Sequence, residues 1–116
     1  MFNRKENSLF YESVFVLSGQ LSERAAKSKF EEYIKSIEES GAKILKTEFW
    51  GLRELAYKIK KNSRGYYYMI NSDCESSLLN SFHKKVKLDE NFLRFLNIRI
   101  KRVDEAASLL IEKGKK

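Results

Sequence analysis

The chain of 116 residues has no proline, one cysteine, one histidine and only five glycines. Without proline there is no Pro-rich linker, and no low-complexity tract or internal repeat divides the chain. The lone cysteine, Cys74, excludes an internal disulfide framework and suits a reducing cytosol. His83 and Cys74 have no second pair of metal ligands to join them, so a zinc site is not expected. Nor does an orienting Asn or Asp motif make them a thiol dyad. No apolar run approaches the ~20 residues of a membrane span. Met1 to Ser8 is polar and mixed in charge, with no apolar stretch of the kind a signal peptide needs. There is no Gly-rich loop to cradle phosphate, and the adjacent acids Glu31-Glu32 and Glu38-Glu39 belong on a solvated helix face. With no catalytic constellation, the expectation is a protein that is not an enzyme and has no cofactor, no metal, no small-molecule substrate and no membrane partner.

What the chain does have is enough apolar material to fold and an excess of positive charge. Hydrophobic residues make up 42% and aromatics 13%, which favours one packed domain over a disordered chain. The formal net charge of +7 favours a polyanionic partner, nucleic acid first.

Periodicity predicts six elements. Leu9 to Leu17 is aromatic and β-branched, hence a strand. Its apolar run Val14-Phe15-Val16-Leu17 predicts a central strand covered on both faces at that end. Ser22 is a helix N-cap, and Ala26, Phe30, Tyr33, Ile34 and Ile37 follow at helical steps until Gly41 ends the helix. Lys43 to Ile59 is a long strand bent at Trp50-Gly51, where glycine tolerates a bulge. Lys60 to Arg64 is a basic turn, and Gly65 to Asn71 is the third strand. Ser72 and Glu75 have capping-box spacing before a second helix with Leu78, Leu79, Phe82 and Val86 on its apolar stripe. Leu88 to Asn91 is a loop, and Phe92 to Val103 is the fourth strand. In it Leu96, Ile98 and Ile100 point one way, and Phe95, Asn97, Arg99 and Lys101 the other.

The order β-α-β-β-α-β is α+β, with two helices burying their stripes on one face of a four-stranded antiparallel sheet. This is the ferredoxin-like sandwich, with first and fourth strands adjacent and the opposite sheet face left for solvent or a partner. The expected organisation is an N-terminal extension over 1–8, one domain over 9–103 and a C-terminal tail over 104–116.

Positive charge concentrates in two regions. Lys43, Lys46, Arg53, Lys58, Lys60, Lys61 and Arg64 are opposed only by Glu48 and Glu54. Lys84, Lys85, Lys87, Arg94, Arg99, Lys101 and Arg102 are opposed only by Asp89 and Glu90. Strands hold cations at fixed spacing, as phosphate contacts require. Lysines at strand edges also guard against edge-to-edge pairing, a role open to Lys58, Lys60 and Lys61. The tyrosines Tyr66, Tyr67 and Tyr68 suggest an alternative, a free single-strand RNA-recognition module stacking bases on sheet-face tyrosines. That reading requires Tyr66 and Tyr68 to lie exposed on the open face. Core packing is the default for these tyrosines, and also for Trp50 and Tyr57.

The run Trp50-Gly51-Leu52-Arg53-Glu54-Leu55-Ala56-Tyr57-Lys58-Ile59-Lys60-Lys61 closely resembles the W-G-x-R-x-L-A-Y-x-I-x-K signature of the bacterial small-subunit ribosomal protein S-six family. Tyr11-Glu12, Gly65-Tyr66-Tyr67, and Phe92-Leu93-Arg94-Phe95 after Asp89 resemble further family segments. Lys58 stands where many members have proline, and the segment before Leu9, with Arg4 and Lys5, is longer than usual. The resemblance implies a structural constituent of the small ribosomal subunit in the cytoplasm. It would bind ribosomal RNA of the central domain, at the platform, together with ribosomal protein S-eighteen. The residues expected at the RNA or partner surface are Arg53, Lys58, Arg94, Arg99, Lys101 and Arg102.

Overall fold

The computed structural model describes residues 9–101. The expected extension, the tail, Arg102 and Val103 lie outside the described residues. The elements are β1 (Phe10–Ser18), α1 (Glu23–Glu39), β2 (Lys43–Ile59), β3 (Asn62–Asp73), α2 (Ser76–Val86) and β4 (Phe92–Ile100). They form one antiparallel sheet in the order β2-β3-β1-β4. This is the expected sandwich, with β1 central and Phe15 to Ser18 buried.

Local chemistry sets the ends of α1. Ser22 Oγ accepts from the Ala25 N–H at 3.0 Å, a cap worth about 1 kcal/mol. At the far end Gly41 takes φ +113°, which lets its N–H reach Glu38 O and the Ala42 N–H reach Ile37 O, both at 3.0 Å. These two bonds satisfy carbonyls that the last turn would otherwise leave without donors. Between the caps Ala26, Phe30, Tyr33 and Ile37 are buried. They meet Phe15 of β1, whose ring makes edge contacts with Phe30, Tyr33 and Phe95 at 5.5, 4.7 and 5.1 Å. Phe30 also stacks on Tyr68 at 4.0 Å. Aromatic pairs of this kind add about 0.5–1.5 kcal/mol beyond the area they bury.

Several expected boundaries move. The basic turn is two residues, not five: Lys60 (φ 48°) and Lys61 (φ 68°) make the connection, and β3 begins at Asn62 and runs to Asp73. Asn62 anchors the turn from inside the ladder, its Nδ2 donating to Lys60 O at 3.0 Å while Oδ1 accepts from Ser18 Oγ at 2.7 Å. The expected capping box is not formed. Ser72 is a fully buried residue of β3, 3.8 Å from Cys74 Sγ, and Glu75 caps α2 by backbone position without a side-chain bond. β4 ends at Ile100, with Lys101 already in a bend.

Two irregularities shape the far end of the sheet. At Gly51 (φ +90°) the β2–β3 register shifts, so that Trp50 and Gly51 share Tyr67 as their opposite residue. Between Glu54 and Ile59 the register shifts again, and the hairpin tip reaches back across the sheet. There Lys60 Nζ donates to Phe92 O at 3.2 Å, and Arg94 donates to the Tyr57 hydroxyl, although β2 and β4 are opposite edges.

Candidate nucleic-acid interface

The register decides which side chains share a face. Tyr66, Tyr68 and Ile70 of β3 pair with Leu17, Phe15 and Ser13 of β1 and belong to the buried, helix-covered side. The alternating residues Tyr67, Met69 and Asn71, paired with Val16, Val14 and Glu12, therefore lie on the open side. One row across that face runs Gly51, Tyr67, Val16, Arg94. The neighbouring row runs Arg53, Gly65, Ser18.

Arg53 and Arg94 thus occupy the same end of the open face, at opposite edges of the sheet. Arg53 Nε donates to Trp50 O at 3.1 Å, which holds its guanidinium against the bulge. Arg94 sits 5.2 Å over the Tyr57 ring and bonds its hydroxyl. Lys58 follows Tyr57 in the same hairpin tip and is exposed. Arg53, Lys58 and Arg94 are therefore gathered at one end. Arg99 and Lys101 are not part of that group. Arg99 pairs with Tyr11 on the helix-layer side at the other end of β4, its guanidinium 5.9 Å over the Tyr11 ring. Lys101 follows it, exposed, and Arg102 lies outside the described residues.

Aromatic placement reverses two defaults and removes the alternative reading. Trp50 is not a core anchor. It is half-buried on the open face, stacked on Tyr67 at 6.5 Å and 17°, and its Nε1–H donates to Glu48 Oε1 at 2.8 Å. Glu48 is itself buried and ion-paired with Lys46 at 3.2 Å. A buried carboxylate between a cation and an indole N–H fixes the ring plane, which an exposed tryptophan alone could not do. Tyr57 is 54% exposed rather than packed. Tyr66 and Tyr68 are only 6% and 1% exposed and sit under the helices, so they cannot stack on bases. Tyr66 instead donates to Leu21 O at 3.0 Å.

Beside the cations lies an apolar strip. Leu96 and Ile98 of β4 are 57% and 48% exposed, on the same face as Val14. The Leu96-Ile98-Ile100 side of β4 is thus the open side, whereas Phe95 packs towards the core. Burial pushes the Cys74 thiol above its ordinary value, which leaves it protonated and inert at neutral pH. His83 lies against Phe95 at 5.2 Å. Among the described residues no cluster of acidic, His and Cys side chains could hold a metal ion.

Sequence reasoning missed the Glu48–Trp50 pair. Their two-residue spacing puts them on one strand face, and that signal was present. Which face it would be depended on the pairing of β2 with β3.

Comparison with known proteins gives a consistent result. The family model described as Ribosomal protein S6 matches residues 10–99. The small ribosomal subunit protein bS6 of Rickettsia prowazekii (strain Madrid E) is 36% identical over 103 residues, covering 89% of this chain and 85% of the relative. The bS6 protein of Granulibacter bethesdensis is 33% identical over 103 residues, with 89% and 67% covered. The crystal structure of 30S ribosomal protein S6 from Thermotoga maritima superposes with a TM-score of 0.74 at 30% identity, covering 80% of this chain and 88% of that one.

Proposed function

This chain belongs to the ribosomal protein S6 family of the small subunit, and from that premise we propose that it binds ribosomal RNA of the central domain together with ribosomal protein S-eighteen. Its role is structural: a preformed sheet holds cations at fixed spacing against a folded RNA, and the partner protein completes the surface. It works in the cytoplasm, on the ribosome, and performs no catalysis.

The observation that carries this reading is the grouping of Arg53, Lys58 and Arg94 at one end of the open face, next to an exposed apolar strip. The two chemistries suit two partners. Guanidinium and ammonium groups on rigid strands suit phosphates, and Arg also stacks on unpaired bases. Leu96 and Ile98 suit an apolar protein surface, since a backbone of phosphates gives them nothing to bury against. Arg99 and Lys101, with Arg102 after them in sequence, offer a second basic contact at the other end of β4.

The test is co-sedimentation of the full chain with small ribosomal subunits from lysate after a high-salt wash. Retention with the subunit is expected, because partner contacts and structured RNA resist screening better than loose phosphate contacts. Recovery only in the unbound protein fraction would overturn the reading.

A further inference from the structure

We propose that a further RNA contact, adjoining the Arg53–Lys58–Arg94 group through Arg94, lies at the outer edge of β4, in a cleft of about 290 Å³ that takes one phosphate-bearing nucleotide of the same RNA. The inference rests on the ribosomal RNA reading above. The cleft is bordered by Lys60, His83, Lys87, Phe92, Arg94 and Phe95. These residues come from three places in the chain: the β2–β3 turn, the end of α2 and the start of β4.

Two ordinary explanations account for part of this set. Basic residues in the last turn of α2 complement its C-terminal dipole, which covers His83 but not Lys60 or Arg94. Edge lysines discourage strand pairing, but Lys60 is not on the β4 edge by sequence. It arrives there only because the hairpin tip crosses the sheet, and its ammonium is held at 3.2 Å by Phe92 O. A single backbone carbonyl satisfies one of its three protons and supplies no counter-charge. Asp89, the carboxylate that Lys60 does influence, is already engaged by Lys29 Nζ at 2.8 Å and by the Asn91 N–H at 2.9 Å. Among the described residues no carboxylate borders the cleft.

The walls supply the second half of the recognition. Phe95 is half-buried and in ring contact with His83, so an aromatic surface stands beside the cations. Cations beside an aromatic surface are the arrangement that binds an unpaired nucleotide, phosphate to the cations and base against the ring. Arg94 borders both this cleft and the open face, so one RNA strand could bridge the two around the β4 edge.

The experiment measures binding of a central-domain ribosomal RNA transcript to the full chain, with protein S-eighteen present, across a salt series. It is run for the parent, for Lys60→Gln/Lys87→Gln, for Arg53→Gln, and for Lys35→Gln on the outer face of α1. Ultraviolet crosslinking in the assembled complex maps which peptides carry nucleotide. The double variant is expected to lower the slope of log affinity against log salt by about 1–2 and to weaken binding at least roughly threefold. A crosslinked nucleotide is expected within residues 83–95, and Lys35→Gln is expected to match the parent. If the double variant keeps the parental slope and affinity while Arg53→Gln weakens binding, the cleft proposal falls and the RNA reading stands. If the parent itself does not bind the transcript, both fall.

Discussion

At the scale of single residues, the hydroxyls of Tyr33 and Tyr68 are the anomaly. Both are buried, and neither finds a hydrogen-bond partner among the described residues. Burial pushes both phenols well above their ordinary value, with lesser contributions from Cys74 at Tyr33 and from Glu23, Tyr66 and Glu31 at Tyr68. A buried donor without an acceptor loses its hydration and gains nothing in return. The rings themselves are indispensable, since Tyr68 stacks between Phe30 at 4.0 Å and Phe49 at 4.9 Å. Tyr68→Phe is therefore expected to leave stability unchanged or raise it by up to about 1 kcal/mol. A urea titration that shows a loss of more than that amount would mean the hydroxyl does have a partner.

At the scale of the element, the β2–β3 hairpin carries the greatest local tension. Its two turn residues both adopt positive φ, yet both are lysine, whereas such turns favour Asn-Gly. The left-handed region costs a non-glycine residue roughly 1 kcal/mol. Lysine there is intelligible if charge at the tip matters more than turn stability, since Lys60 reaches Phe92 O and Lys61 is exposed. Lys61→Gly is expected to stabilise the fold by about 0.5–1 kcal/mol, read as a shift of the urea midpoint without change of slope. It should also weaken RNA binding modestly by removing one cation. The same hairpin explains why the sequence misjudged the length of the turn: Ser63 and Arg64 are polar and look like loop, but β3 already begins at Asn62, which pairs with Ile59, and Arg64 pairs with Glu54 of β2.

For the whole molecule, the question is how two layers stay in register. The sheet is joined to α1 by the aromatic cluster around Phe15 and, at the surface, by Lys29 to Asp89. Burial by itself would raise the Asp89 carboxyl, but Lys29, the Asn91 N–H and the charge of Lys60 outweigh it and hold the group below the ordinary aspartate value of 3.8. A group lowered in the folded state stabilises above its unfolded value and loses that contribution as pH falls through its folded value. The tether is partly exposed, so its worth is below about 1 kcal/mol. Asp89→Asn is expected to be less stable than the parent at neutral pH by that amount. The difference should shrink as pH drops below about 4 and vanish once the folded-state carboxyl is itself protonated. Parallel stability curves across that range would show that Asp89 does not titrate as argued.

The amino-acid sequence alone determined the order of elements, because helix and strand periods are local properties of the pattern. Ser22, Gly41 and Gly51 marked a cap, a stop and a bulge by the same local logic, and the signature from Trp50 to Lys61 pointed to the family. It could not say which face of each strand meets the helices. A one-residue shift of register turns every side chain over, and that choice is made by partners distant in sequence. Hence Trp50 and Tyr57, reasonable core residues by composition, lie outside the core, while Tyr66 and Tyr68 lie within it. Six basic residues looked alike in the sequence. Only the pairing of β1 with β4 and the lean of the hairpin tip gathered Arg53, Lys58 and Arg94 at one end and left Arg99 and Lys101 at the other.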